Sequence, residues 1–487
     1  MTDGTPDDEE QVQPPESARI ATSAGQLLLR RVIVQVLSAL STAVLARTLG
    51  VAGFGDFAAG LAMYYLALSV CDFGFGSVLA RELGSGRADD GGLVRSMLRV
   101  QTGWSVAVGL GTVAFAVAAG LSSPRIQVLL ALTPAVALFG LSGVRQVFYA
   151  SYRTGRLGLI DVATNAVQLG IVTVVAVSGG GPLAVALALC AMILVNCVVV
   201  AVIGLRMVDA DPSTAAVRRQ MLTHSLPIGI SSLLASAYFT LDLSIVGFLV
   251  PSREVGYYAA ATKALSLLVT VPGLVVAASL AGLSSHAADR AQLGRLTAQV
   301  WHWLAVSALP LCIAVVLYAP VVVRVYYGRG YGPAVPLVRI LALSGIVAVL
   351  SNVFGATMVA TRRNRWLVVQ GTVALCGNVL GNLLLVPRFG VTASAWLTVA
   401  TEVGVCAGSV IGMRRSIDMG PVRHVSLAPL AAGAAMVVVG GATVSWPIPS
   451  MAASGAAFLV VLGALRGWPE DVPLPVPLLR RFAVGSR

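Results

Sequence analysis

Charged residues are scarce in this chain. Only 11% of its 487 residues are charged and 57% are hydrophobic, and the mean hydropathy is +0.86. Soluble domains carry about 25% charged and about 45–50% apolar residues. So little polar surface cannot cover so much apolar sequence, which excludes a set of soluble domains, a disordered chain and a disulfide-stapled secreted protein. The composition therefore predicts a protein that crosses the membrane many times.

Lysine is almost absent, because Lys263 is the only lysine among 33 basic residues. A P-loop needs the pattern GxxxxGK[ST], so this chain has none and ATP does not drive it directly. The four histidines are scattered, and the six cysteines lie in apolar runs without CxxC spacing, which argues against a metal site. The longest predicted external loops, such as 324–334, are short. We therefore expect neither an enzyme nor a cofactor.

Long apolar runs make up most of the sequence. A helix needs about 20 residues to cross about 30 Å of hydrocarbon, and fourteen runs reach roughly that length. We predict an all-α polytopic membrane protein with fourteen transmembrane helices. The predicted spans are 24–47, 57–80, 98–121, 126–149, 159–178, 183–206, 225–250, 257–282, 297–323, 335–360, 367–386, 392–412, 426–445 and 451–466.

Basic residues are distributed unevenly between the predicted loops. Eight of the 33 lie in odd-numbered loops or in the adjoining parts of helices, and the other 25 lie at the termini, in even-numbered loops and at the helix ends beside them. Positively charged loops stay in the cytoplasm. The bias predicts that both termini are cytoplasmic.

Short motifs recur at corresponding places in the two halves of the chain. GDFAA at 55–59 matches GYYAA at 256–260, and GPLAVA at 181–186 matches GVTASA at 390–395. Six helices per half would make the repeat parallel, with its axis along the membrane normal, as in transporters that rock two lobes about a central site. The predicted parts are a disordered cytoplasmic tail at 1–18, an N-lobe at 19–206, a cytoplasmic linker at 207–224, a C-lobe at 225–412, two further helices at 413–466 and a cytoplasmic tail at 467–487.

Charged residues inside the apolar runs carry the functional hypothesis. An Asp, Lys or Arg at the centre of a membrane helix costs about 2.5–3.5 kcal/mol on insertion scales, so it normally faces a cavity or a partner. Asp242 is the deepest, and Lys263 follows in the next predicted helix, where an ion pair between the two is geometrically feasible. The candidate substrate-binding residues are Arg30, Arg31, Asp72, Asp242, Lys263 and Glu402.

Structural roles compete with these functional ones. Asp72 precedes Phe-Gly-Phe-Gly and could equally cap or kink its helix. Arg30 and Arg31 could be topology anchors whose side chains reach the headgroups. Arg145 and Asp161 lie near the predicted interface, so we interpret them as structural or topological residues.

Three stretches resemble a known family. LARTLGVAGFGDFAAGLAMYYLALSVCDFGFGSVLARELG, LDLSIVGFLVPSREVGYYAAATKALSLL and GNVLGNLLLVPRFGVTASAWLTVATE are similar to helices 1–2, 7–8 and 11–12 of the polysaccharide (O-antigen-type) flippases. These flippases belong to the multidrug/oligosaccharidyl-lipid/polysaccharide exporter superfamily. The resemblance covers roughly 20–415, and helices 13–14 occur in only some branches of that superfamily.

The resemblance implies a flippase that moves polyprenyl-diphosphate-linked oligosaccharide from the inner to the outer leaflet of the bacterial cytoplasmic membrane by alternating access. It implies that Arg30, Arg31 and Lys263 face the diphosphate. Asp242 and Glu402 would bind a coupling proton or sodium ion, or the sugars. A polysaccharide polymerase and glycosyltransferases are the expected partners, and nucleic acid is not.

Three alternatives remain open at this stage: a cation-coupled multidrug antiporter, a lipid II flippase, and a scaffold for envelope-polymer assembly. The antiporter fits Asp242 loosely but not the two extra helices. The lipid II flippase shares fourteen helices and an arginine-bearing first helix but resembles the 55–59 and 256–260 turns less. A scaffold would tolerate neutralisation of the charges inside the helices.

Overall fold

The described part of the chain is built from α-helices. The computed structural model describes residues 16–84, 90–151, 153–208, 229, 233, 240–414, 416–425, 427–443 and 446–465. Residues 1–15, most of the predicted linker 207–224, most of the predicted seventh helix before residue 240, and the predicted C-terminal tail 467–487 lie outside these ranges.

The described part of the N-terminal half contains eight helices, two of which form one bent candidate span. They are α1 (Glu16–Thr48), α2 (Gly50–Asp72), α3 (Phe75–Gly84), α4 (Asp90–Ala119), α5 (Pro124–Ala137), α6 (Arg145–Ala150), α7 (Thr154–Val177) and α8 (Pro182–Leu205). A 3-10 turn, Phe139–Val144, joins α5 to α6. Proline opens α5 and α8, where its missing N–H costs no hydrogen bond.

The described part of the C-terminal half and of the segment after it contains ten further helices. They are α9 (Thr240–Leu249), α10 (Ser252–Ser285), α11 (Arg290–Leu317), α12 (Ala319–Tyr326), α13 (Ala334–Ala360), α14 (Asn364–Phe389), α15 (Val391–Met413), α16 (Gly420–Val425), α17 (Leu427–Thr443) and α18 (Pro447–Ala464). Asp289 caps α11 by accepting from the backbone N–H groups of Ala291 and Gln292. The hydrogen bond from Gln292 holds the pKa of this carboxyl below its usual value.

The predicted class is confirmed. Within the described ranges, twelve helices are long and apolar enough to cross a membrane, and a bent pair makes a thirteenth span. Helix α9 is a shorter apolar helix at the end of the predicted seventh span. The fourteen predicted spans thus each have a helical counterpart, although residues 225–239 of the seventh are described only at Gly229 and Leu233.

Several boundaries differ from the predictions. The predicted spans 57–80 and 297–323 are interrupted, the first at 73–74 and the second at 318. Helix α1 begins at Glu16, so the predicted disordered tail 1–18 overlaps it by three residues. The predicted continuous span 126–149 is broken, because α5 and the segment 139–150 meet at a bend of 47°. Gly140 allows the break: a Cβ there would lie 2.4 Å from the backbone of Thr102, so the turn packs directly on α4.

The two halves are joined through α2 and α10. Helix α2 is buried along most of its length, and the main apolar cluster combines its residues with residues of α5, α8, α10, α12 and α13. Such shared packing fixes the halves against each other on one side of the bundle. We call this side, which carries the α1–α2 turn, the predicted outer end; the α2–α4 connection marks the predicted inner end.

Candidate functional site

A cluster of charged side chains occupies the interior of the N-terminal half. The carboxylate of Asp161 of α7 forms an ion pair with Arg30 of α1, in which Nε and Oδ2 are 2.9 Å apart. The same carboxylate accepts hydrogen bonds from the two terminal guanidinium nitrogens of Arg145 of α6, at 2.8 and 3.0 Å. Asn196 of α8 donates to Asp161 at 3.1 Å and accepts from Arg145 at 2.6 Å. Arg30 also donates to the hydroxyl of Tyr149 at 3.2 Å.

The cluster carries one net positive charge, because two guanidinium groups share one carboxylate. Asp161 is only 3% exposed, so its contacts with Arg30 and Arg145 are little screened by water. Guanidinium forks suit phosphate, which accepts paired hydrogen bonds. The structure places the candidate residue Arg30 on the same carboxylate as Arg145, so the ion pair expected to be structural also includes a predicted substrate-binding residue. The depth of Arg145 and Asp161 near the predicted interface hid this contact in the sequence.

Asp72 lies at a break between two helices and beside a cavity. Helix α2 ends at Asp72, and the chain turns through Phe73 (φ 33°) and Gly74 (φ 72°) before α3. Asp72 is also one wall of a cavity of about 240 Å³ in the same half. The predicted helix break at Asp72 is therefore present, and its predicted role in substrate binding stays a prediction. Arg145 and Tyr149 of the charged cluster also line this cavity.

Asp242 lies in a cage of neutral polar groups in the C-terminal half. Its Oδ2 accepts from the hydroxyls of Tyr258 of α10 (3.2 Å) and Thr398 of α15 (3.0 Å). Its Oδ1 accepts from the amide of Asn382 of α14 at 2.9 Å, and that amide also contacts the side chain and carbonyl of Asn378. Tyr258 and Asn382 have no exposed surface. Oxygen-rich surroundings of this kind suit a hard cation or a proton on the carboxylate.

Lys263 does not pair with Asp242 in the described part of the chain. Its Nζ donates instead to the hydroxyl of Ser38, at 2.9 Å, which joins α10 to α1 between the two halves. Ser38 and Arg30 are eight residues apart on α1, about 12 Å along its axis. Lys263 and Arg30 therefore lie at different depths, and the structure does not bring them together.

The two other predicted residues, Arg31 and Glu402, lie on α1 and α15. Arg31 is exposed, whereas its neighbour Arg30 is half-buried. The two adjacent arginines therefore lie in different surroundings. Glu402 is half-buried on α15, one turn after Thr398. Sequence reasoning missed Asn378 and Asn382, although their spacing of four residues in GNVLGN puts both amides on one face of α14.

A polar network joins the halves at the predicted outer end. Arg125, at the start of α5, forms an ion pair with Asp56 of α2 at 3.0 Å. The same guanidinium donates to the hydroxyl of Ser252 of α10 at 2.9 Å and to the carbonyl of Gly247 of α9. Ser252 in turn donates to Asp56 at 2.5 Å. Arg125 of α5 thus binds three other helices, one from its own half and two from the C-terminal half.

Two glycines allow the helices to meet beneath this network. A Cβ at Gly55 of α2 would lie 1.9 Å from the carbonyl oxygen of Ser252, and a Cβ at Gly256 of α10 would lie 2.1 Å from that of Val51. Only glycine fits at this approach of two backbones. We call this pair the glycine contact; its members are the equivalent glycines of the GDFAA and GYYAA motifs. The predicted outer end is therefore closed.

The described helices form a membrane bundle that is closed at the predicted outer end and has charged and polar side chains between its helices, which is the architecture of a transporter fold. Solved structures agree. "Lipid II flippase MurJ, inward closed conformation" superposes with a TM-score of 0.72 at 11% identity, over 89% of this chain and 97% of that one. A eukaryotic MATE transporter gives 0.59 at 14%, over 84% and 98%. A MOP superfamily transporter from Pyrococcus furiosus gives 0.57 at 13%, over 81% and 94%.

The family follows from the sequence. A family model described as "Polysaccharide biosynthesis protein" matches residues 44–336, which is 293 of the 487 residues. The chain belongs to this family of polysaccharide biosynthesis proteins, and it has the flippase and transporter fold of the MOP superfamily. No curated protein sequence matches the chain significantly. The predicted superfamily is confirmed, and its structurally similar members are transporters and flippases rather than enzymes.

Proposed function

We propose that this protein is a flippase that moves a polyprenyl-diphosphate-linked oligosaccharide from the inner to the outer leaflet of the bacterial cytoplasmic membrane. The family is one of polysaccharide biosynthesis, and the fold is that of flippases and transporters. Both termini would lie in the cytoplasm, as the arginine bias predicts. A polymerase and glycosyltransferases that act on the same polymer would then be its partners.

The arginine pair on Asp161 is the observation that carries the proposal. A diphosphate headgroup cannot enter hydrocarbon unaided, because an isolated charge there is very costly. Arg30 and Arg145 keep one positive charge in excess of Asp161 within the N-terminal half. The anionic oxygens of a diphosphate would neutralise this excess positive charge. The lipid tail would stay in the bilayer while the headgroup passes between the lobes.

Alternating access accounts for the closed outer end. Helices α2 and α10 meet at the glycine contact, and Arg125 links both halves above it. We propose that the headgroup enters from the cytoplasmic side in this state. Rocking of the predicted N-lobe (19–206) against the predicted C-lobe (225–412) would then break these contacts and open the outer end. Lys263, which bonds to Ser38 across the halves, would change partner during that movement.

Asp242 supports an ion-coupled drive. Its carboxylate is surrounded by the hydroxyls of Tyr258 and Thr398 and by the amides of Asn378 and Asn382, without a basic partner among the described ion pairs. A carboxylate with oxygen neighbours binds sodium or a proton, and either would neutralise it. We propose that such binding biases the C-lobe between its two positions. Glu402, one turn after Thr398, is a further candidate for this role.

A second cargo shares the same chemistry. The solved flippase that superposes with a TM-score of 0.72 is a lipid II flippase, and the charged cluster on Asp161 would recognise the diphosphate of lipid II equally well. The likeness at 11% identity concerns the fold alone, so the choice of cargo belongs to experiment.

Depletion of the protein in its native host tests the function. We expect lipid extracts analysed by mass spectrometry to accumulate a complete polyprenyl-diphosphate-linked repeat unit, with loss of surface polymer. Re-expression of the wild-type chain should reverse both effects. Accumulation of lipid II instead would identify the second cargo.

Two results would contradict both flippase hypotheses. If lipid intermediates stay unchanged and the depleted cells become sensitive to cationic drugs, the protein is a multidrug antiporter. Unchanged lipids without any drug phenotype would favour a scaffold.

A further inference from the structure

A small cavity lies within the N-terminal half, next to the charged cluster on Asp161. It is bordered by the break between α2 and α3, by α4, and by the 3-10 turn with α6, and its volume is about 240 Å³. Drug-sized ligands occupy about 300–1,000 Å³, so this cavity suits a single ring. The side chains that matter for its chemistry are Asp72, Gln101, Phe139, Arg145, Gln146 and Tyr149.

Gln101 of α4 marks the cavity as a binding site. Its side chain is 1% exposed, and its Oε1 accepts no hydrogen bond from any described residue. Buried acceptors nearly always have a partner, so one that lacks it requires an explanation. Gly143 of the 3-10 turn faces the same oxygen, because a Cβ there would lie 2.6 Å from it. Glycine at position 143 thus lets the 3-10 turn pack closely beside this oxygen, which still has no donor among the described residues.

The charges around the cavity exclude ions as its ligand. The carboxylate of Asp72 and the free oxygen of Gln101 would repel a phosphate, although Arg145 alone would attract one. Arg145 in turn disfavours a metal cation. A neutral molecule with several hydroxyl groups meets both conditions, because each hydroxyl donates to an acceptor and accepts from a donor. The rings of Phe139 and Tyr149 can cover the apolar faces of such a molecule.

We propose that this cavity binds the sugar that is attached directly to the diphosphate of the cargo, with one sugar hydroxyl donating to Oε1 of Gln101. The inference rests on the proposed function and adds a sugar subsite to it. Tyr149 connects the two parts: its hydroxyl accepts from Arg30 of the charged cluster, and its side chain lines the cavity. A diphosphate held by Arg30 and Arg145 would therefore carry its first sugar next to Gln101.

Calorimetric titration of the full chain in lipid nanodiscs tests this subsite. The probes are farnesyl diphosphate and farnesyl diphosphate linked to glucose, galactose or N-acetylglucosamine. We expect at least one sugar-bearing probe to bind more tightly than farnesyl diphosphate. The variant Gln101→Met keeps the length of the side chain but removes the acceptor. It should weaken binding of that probe by about 3- to 10-fold, the value of one hydrogen bond, and leave farnesyl diphosphate unaffected.

Gln370→Met is the matched control. Gln370 of α14 also has a buried Oε1 without a partner among the described residues, but it lies in the other half, where its amide donates to Val405 and Ser409. This variant should bind both probes as the wild type does. Asp72→Asn is a second test in the cavity, in case Gln101→Met unfolds: it should weaken binding of the sugar-bearing probe relative to farnesyl diphosphate.

The outcomes separate the subsite from the proposed function. If no sugar-bearing probe binds more tightly than farnesyl diphosphate, or if Gln101→Met and Asp72→Asn change both probes equally, the cavity holds only water and the subsite is wrong while the flippase stands. If the wild type binds none of the probes, the proposed function fails and the subsite fails with it.

Discussion

Replacing Gly55 by alanine should open the predicted outer end. The new methyl carbon would lie 1.9 Å from the carbonyl oxygen of Ser252 and 2.7 Å from the backbone nitrogen of Gly256, whereas ordinary contact begins at 3.4 Å. Because both neighbours are backbone atoms, α2 and α10 must separate by about 1.5 Å. Overpacking of this kind costs about 1–3 kcal/mol. The cost falls only on the closed state, so the equilibrium should shift about 5- to 150-fold toward opening.

Thiol labelling measures that shift. Val250 is 8% exposed and belongs to the apolar cluster shared by both halves, so Val250→Cys reports on the outer end without adding bulk there. In a chain whose six native cysteines are replaced, we expect Gly55→Ala to speed the reaction of this cysteine with a membrane-impermeant maleimide. Transport should fall, because the state that takes up substrate from the inner side becomes rare.

Gly332→Ala is the matched control for this prediction. Gly332 also lies at the predicted outer end, but a Cβ there would meet nothing within 4 Å. In the chain that carries Val250→Cys, Gly332→Ala should leave the rate of maleimide labelling unchanged. Equal rates for Gly55→Ala and Gly332→Ala would refute the reasoning that the glycine contact holds this end closed.

Two further predictions concern the buried carboxylates. Asp242→Asn should reduce transport strongly while expression stays near normal, because the amide keeps the hydrogen-bonding shape but cannot bind a coupling cation; full activity in vesicle transport assays would remove Asp242 from the mechanism. Asp161→Ala should destabilise the protein by about 3–5 kcal/mol, since it leaves Arg30 and Arg145 without their buried partner. A thermal unfolding midpoint equal to that of the wild type would show that water or lipid phosphate already neutralises these arginines.

The sequence predicted the fold because the membrane leaves few choices. Every backbone polar group in hydrocarbon must be bonded within its own segment, so a long apolar run becomes a helix. The break at 138–144 escaped prediction, since the run around it is as apolar as its neighbours. Only the packing of Gly140 on Thr102 shows why the helix bends there.

The candidate site was predictable in part. Asp242 stood out because a carboxylate deep in an apolar run needs a reason, and its neighbours from α14 and α15 depend on tertiary packing that no local pattern records. Lys263 stood out for the same reason, yet its partner is Ser38, more than 200 residues away. Local spacing suggests which charges need partners, while the choice of partner is made by helix packing.

The glycine contact is reciprocal. Gly55 meets Ser252 and Gly256 meets Val51, and each residue is displaced from its counterpart by 201 positions. In an isologous interface, residue i of one copy contacts residue j of the other, and residue j of the first contacts residue i of the second. Two identical subunits form such an interface about a two-fold axis. One chain here reproduces the interface of a homodimer, and joining the copies has let them diverge: Asp56 pairs with Arg125, whereas its counterpart, Tyr257, packs edge-to-face against Tyr331. A dimer of identical chains would have to make every such change twice.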